Sequence, residues 1–216
     1  MAKGSRRGLA SIGAGALCFV ALMYWYQWSA TPLTQAEVDQ FMAVIESQTD
    51  VPGGRHDMAA LRHFLETDTG KPTYTVNLYK FHEIAQYEPG GRFVGGTGRE
   101  AHERFTASMI PMLIRLASHP IFGSNWAAEN KDNWDRLVIV RYRSRRDLAR
   151  LFANPRFSAV ASMHKWASLE AHERMQVEAV QIPDGRLIIV LLSLLVGAGT
   201  FGSITLARRF QKQRAA

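Results

Sequence analysis

The chain has 216 residues and a mass of 24.2 kDa, room for one domain of ordinary size with appendages and too little for two large enzymatic domains. A single cysteine, Cys18, excludes an internal disulfide framework and a cysteine-built zinc site. The formal charge is +7, but the excess sits in Lys3, Arg6 and Arg7 at one end and Arg208, Arg209, Lys212 and Arg214 at the other, so the middle is neutral and no nucleic-acid surface is expected.

Residues 1–8 form a basic N-terminus. Residues 9–28, LASIGAGALCFVALMYWYQW, carry no charge and would span about 30 Å as a helix, the thickness of a bilayer core. A basic start followed by an apolar run also fits a signal peptide. A cut after Ala30 would put Trp28 where a small residue is needed, and Tyr24, Trp25, Tyr26 and Trp28 form an interfacial aromatic belt, so an uncleaved membrane anchor is expected.

Residues 31–69 read as a helical segment. Thr34 and Glu37 have capping-box spacing, and Val38, Phe41, Met42 and Ile45 follow the helical period. A short helix over 57–66 presents Met58, Leu61 and Leu65 before a break at 68–72. TYTVNLYKF at 73–81 has strand composition. The loop 89–100 has five glycines and could offer amides to an anion, but it matches no phosphate-loop pattern and reads as an entry into the helix that Thr97 and Glu100 cap. Phe105, Met109, Met112, Leu113 and Leu116 line that helix. Strands are expected at 121–127, 137–142 and 175–182, with a helix starting at Ser144 and Asp147 between the last two.

A second charge-free run, residues 187–207, precedes the basic tail 208–216. Ser11 with Gly15 and Ser193 with Gly197 would allow the two spans to pack closely. Basic residues outside both spans place the termini in the cytoplasm, and the middle on the periplasmic or extracellular side of the inner (plasma) membrane.

The order β, α, β, β, α, β over 73–182 predicts an α+β domain of split βαβ type, an antiparallel sheet with both helices on one face. Val76 and Leu78 are expected to face the helices; Thr75, Asn77, Tyr79 and Phe81 would line the bare face, through which such a sheet dimerises.

VNLYKF at 76–81, IPMLIRLASH at 110–119, WDRLVIVRYRSRRDLARLFANPRFSAVA at 134–161 and HKWASLE at 164–170 resemble family thirteen-thirty of the domains of unknown function, a branch of the dimeric α+β barrel superfamily. The resemblance covers about half of the chain. It implies a ferredoxin-like βαββαβ domain that forms a dimeric α/β barrel, here between two transmembrane helices, and no agreed chemistry. Lys165 stands where an Arg commonly occurs in the family pattern, and the spans and the 31–69 segment are additions.

His164 shares a helical face with Phe157, Val160 and Ala161, so it is expected to point inward, as a structural histidine or as a ligand-binding or acid–base group. Asn77 and Tyr79 are candidate ligand-binding residues of the barrel cavity, with interface packing as the alternative. His102 and His172 occur in a repeated pentapeptide, EAHER, read as coincidence; His56 and His63 are read as solvated. Arg141, Arg143, Arg145 and Arg146 are expected at a solvated corner. No HExxH or other metal spacing occurs, so neither a metal nor a cofactor is expected. The resulting expectation is a membrane-anchored homodimer that binds a small apolar ligand or serves assembly, the bilayer being its other partner. The alternative is an enzyme like the cofactor-independent monooxygenases or isomerases, using the barrel cavity.

Overall fold

In the computed structural model, residues 21, 24–26, 31–48, 56–126 and 133–178 are described, apart from the side chains of 160–162. The chain divides into two compact units, Met1–Ala179 and Val180–Ala216, and every described residue belongs to the first. The spans expected over 9–28 and 187–207 lie outside the described residues except for 21 and 24–26. Among the described residues no helix is long and apolar enough to cross a membrane.

The expected capping chemistry starts two helices. In α1, Gln35–Glu46, the Thr34 hydroxyl accepts the Glu37 amide and the Glu37 carboxylate accepts the Thr34 amide; Thr97 and Glu100 do the same for α3, Gly98–Arg115. Between them, α2 spans Met58–Glu66 behind an Asp57 cap, and β1 spans Thr73–Phe81. Beyond α3 come β2, His119–Asn125, and β3, Arg136–Tyr142. Next are α4, Arg145–Phe152, a π-helical turn at Phe157–Ala161, α5, Ser162–Ser168, and β4, Leu169–Val177.

The fold is α+β, with four antiparallel strands in the order β2-β3-β1-β4. The sheet matches the expected element sequence, but β4 begins six residues before the expected 175–182 and β2 two before 121–127. Register places Asn77 between Val138 and Arg174, and Tyr79 between Arg136 and His172.

The two faces of β1 are the reverse of the expectation. Thr75, Asn77, Tyr79 and Phe81 are buried on the helix-facing side, whereas Val76 and Leu78 are only half-buried. Alternation fixes two faces but not which one is inside. Here the larger aromatic area of Tyr79 and Phe81 goes under the helices, where both rings meet His102. Val76 and Leu78 pair with Ile139 and Leu137, leaving a second apolar layer on the far face.

The 31–69 helices extend the helical layer. Val38, Met42, Ile45, Leu61 and Leu65 share one hydrophobic core with Leu113, Leu148 and Leu151. Polar ties fasten them to α4. Arg146 binds Glu37, whose carboxyl is held down at about 2, by the Arg146 hydrogen bond first and the Thr34 amide second. Arg145 donates to the Phe64 carbonyl and the Thr67 hydroxyl.

The arginine corner is therefore not solvated: Arg141 and Arg145 are buried. Asp147, 1% exposed, accepts from Arg143 at 2.8 and 3.1 Å and from Arg150 at 3.1 Å. Its carboxylate also accepts the Ser144 hydroxyl at 2.9 Å, while the Ser144 oxygen accepts the Asp147 amide. Buried cations persist because each finds acceptors.

Residues 24–26 join this corner. Arg143 donates to the Trp25 carbonyl at 3.0 Å and Arg141 to the Tyr26 carbonyl at 3.1 Å; the Arg141 guanidinium lies 3.9 Å from the centre of the Tyr26 ring, whose hydroxyl is 2.8 Å from His119 Nε2.

Candidate functional site

The inward face of the sheet and the helices above it enclose a cavity of about 340 Å³. Asn77, Tyr79, Val138 and Val140 come from the two central strands; Phe105 and Met109 come from α3. The cations are Arg136 of β3, Lys165 of α5 and Arg174 of the edge strand β4, and among the described residues no Asp or Glu lines the space.

Tyr79 lines it from β1. The ring of His102 is 4.7 Å away and that of His172 is 5.1 Å away, centroid to centroid. The repeated EAHER motif thus converges in space: one copy opens α3, the other lies within β4, and both histidines pack on one tyrosine. Burial pushes the Tyr79 phenol up, and its hydroxyl has no hydrogen-bond partner among the described residues.

The hydrogen bonds assign the histidine tautomers. Asn77 Nδ2 donates to the Thr75 and Val138 carbonyls, each at 3.3 Å, so its Oδ1 accepts from His172 Nε2 at 3.1 Å. Arg136 Nη1 donates to His102 Nδ1 at 3.3 Å, which puts the His102 proton on Nε2, a buried atom without a partner among the described residues.

Lys165 is the least conventional group. It is 9% exposed, its Nζ lies 5.0 Å from the Trp166 ring and 5.9 Å from the Phe105 ring, and it makes no ion pair among the described residues. Burial, and then the Arg174 charge, bring the amine down to about 7.

Of the expected site residues, Asn77 and Tyr79 line this cavity and His164 does not. His164 is buried, as its spacing predicts, but it faces the loop after β1: Nδ1 is hydrogen-bonded with the Tyr87 hydroxyl at 2.9 Å, and its ring meets Phe93 at 4.5 Å. Arg104 donates to the same Tyr87 oxygen at 3.2 Å. The π turn at Phe157–Ala161 explains the displacement, because i→i+5 bonding uses one residue more than an α turn and delays the phase by one. Lys165 takes the inward place. His56 is likewise not solvated; it lines the cavity with its ring 4.4 Å from Phe152, whereas His63 is exposed.

The glycine-rich loop offers no anion cradle at the start of α3. The Gly98 amide donates to the His82 carbonyl at 3.0 Å and the Glu100 amide to the Thr97 hydroxyl at 3.2 Å. Among the described residues, no three His, Cys, Asp or Glu side chains group to hold a metal.

Burial, reinforced by neighbouring cations, lowers His56 to about 4, His102 to about 3 and His172 to about 2. The unfolded chain takes up protons at these positions below about 6.5, and the folded one does not. Stability contributed by the neutral rings is complete above pH 6.5 and is lost as pH falls toward 4 and below. Thermal unfolding midpoints should therefore drop across this window, and His102→Gln should flatten the fall.

No family model matches the chain, and no curated protein matches it. Two crystal structures resemble it. The RPA0582 protein of unknown function from Rhodopseudomonas palustris is 21% identical, with a TM-score of 0.49 over 57% of this chain and 92% of that one. The methylated RPA0582 protein is 19% identical, with a TM-score of 0.48 over 72% and 99%.

Proposed function

We propose that the domain is a binding module for a small amphiphilic organic anion, a carboxylic acid with an apolar body. The observation that carries this reading is a cavity walled largely by apolar side chains and entered by three cations, with no carboxylate among its described lining residues. An anion would supply the counter-charge that Lys165 and Arg174 lack among the described residues, and the phenol of Tyr79 would donate a hydrogen bond to it. This sharpens the apolar ligand expected from sequence: the body is apolar, the head acidic.

The module works as a homodimeric α/β barrel of ferredoxin-like type, tethered to the membrane by residues 9–28 and 187–207, with both termini cytoplasmic. The charge-free runs and terminal basic residues support the tether. Val76, Leu78, Leu137, Ile139 and the 45%-exposed Met175 support pairing through the far sheet face.

The test is thermal unfolding of the full chain in detergent with aliphatic and aromatic carboxylates and their matching amides. The acids should raise the midpoint and the amides should not; equal effects would refute the anion reading. In the same preparation, Leu78→Arg should convert dimer to monomer in native mass spectra while the acid effect stays.

A further inference from the structure

Lys165 combines three properties that an anion-binding lysine does not need together. It is nine-tenths buried, it has no carboxylate partner among the described residues, and its Nζ is set between the rings of Trp166 and Phe105. An ammonium kept only for charge is better served by an Arg, which stays protonated and holds a carboxylate in two bonds. Two guanidinium groups, Arg136 and Arg174, already line the same cavity. The third cation is thus redundant as charge and distinct as chemistry: an amine that can shed its proton is a nucleophile toward carbonyl carbon.

We propose that the ligand is an oxo acid and that Lys165 condenses with its carbonyl to a reversible imine while Arg136 and Arg174 hold the carboxylate. The inference rests on the anion reading above and adds the bond. The Nζ lone pair attacks the carbonyl carbon, the C=O π pair moves to oxygen, and a proton passes from nitrogen to that oxygen to give a carbinolamine. The nitrogen lone pair then forms the C=N bond as the hydroxyl takes up a proton and departs as water. No oxidant or reductant is consumed. The Tyr79 hydroxyl and the His102 Nε2 proton, both without partners among the described residues, are hydrogen-bond donors of the cavity wall. Burial and Arg174 already keep the amine largely able to react at neutral pH.

The experiment treats the full chain in detergent at pH 7.5 with pyruvate or phenylpyruvate and sodium cyanoborohydride, then reads intact mass and peptide maps. The expected product carries the mass of the acid less one oxygen atom, located on Lys165 in at least tenfold excess over the ion-paired Lys80 and over Lys71. Lys165→Arg should fold and lose the adduct. Label spread evenly over the lysines would overturn the proposal. The matching 2-hydroxy acids separate the two readings: if they raise the midpoint and the oxo acids leave no adduct on Lys165, the imine is refuted and the anion site stands. If neither class shifts the midpoint, the anion site itself is refuted.

Discussion

Replacing Lys165 with Met should make the protein more stable at neutral pH, on the order of 2 to 5 kcal/mol, while abolishing its adduct with oxo acids. In the unfolded chain the amine keeps its proton up to about 10.5; in the folded protein it loses it near 7. Folding therefore expels a proton, or buries an ammonium, at any pH below 10.5, and each unit of displacement corresponds to about 1.4 kcal/mol. Sign and window follow: the penalty is absent above 10.5, grows as pH falls to 7, and is constant below. Met has nearly the length of Lys and suits the space between Trp166 and Phe105. The stabilisation should thus be largest at pH 7 and shrink toward pH 10 in thermal or urea unfolding. A Met variant less stable than the parent at pH 7 would show that the lysine has a compensating partner. A residue that costs stability where an apolar one would add it is the signature of a site rather than of a core.

Gly98→Ala should have the opposite effect, a loss of about 3 kcal/mol or more together with loss of acid binding. A Cβ at Gly98 would lie 2.3 Å from the His82 carbonyl oxygen, 2.6 Å from the Ser168 carbonyl oxygen and 2.8 Å from the His82 nitrogen. All three are backbone atoms, so nothing can swing aside. The same atoms are joined by hydrogen bonds, Gly98 amide to His82 carbonyl and His82 amide to Ser168 carbonyl, each 3.0 Å long. This stitch fixes the end of β1 after Phe81, the start of α3 four residues before His102, and the end of α5 three residues after Lys165. Denaturant unfolding measures the first loss, and midpoint shifts with carboxylates measure the second. Gly123→Ala is the control: nothing lies within 4 Å of its Cβ position, and its stability should be unchanged.

The sequence shows where the elements lie more clearly than how they face. Thr34, Glu37, Thr97 and Glu100 mark helix starts because capping is a local exchange of hydrogen bonds among residues three apart. TYTVNLYKF is legible as β1 for the same local reason, but the inward choice between its two faces depends on what α3 brings, and that is set by packing. Asn77 and Tyr79 line the cavity, but from the helix-facing side of β1 and not from the bare face expected of them. Lys165, Arg174 and His172 are hidden from a sequence reading, since the π turn changes the helical phase ahead of α5, and the polar run LEAHERMQV carries few β-branched residues to mark it as strand. The one usable signal was the duplicated EAHER, whose two copies meet across Tyr79.

Residues 24–26 bear on how the domain would respond to force. Their attachment is made by main-chain carbonyls held by Arg141 and Arg143, with the Tyr26 ring clasped on Arg141 and its hydroxyl on His119. A tension arriving along the chain from its N-terminal side is then borne at β3 and β2 before it reaches α1. Arg141 directly follows Val140, and Val140 and Val138 form part of the cavity wall. A pull strong enough to shift β3 by a fraction of its register would reshape the cavity, so load from the N-terminal side of the chain and the form of that space are mechanically linked through one strand.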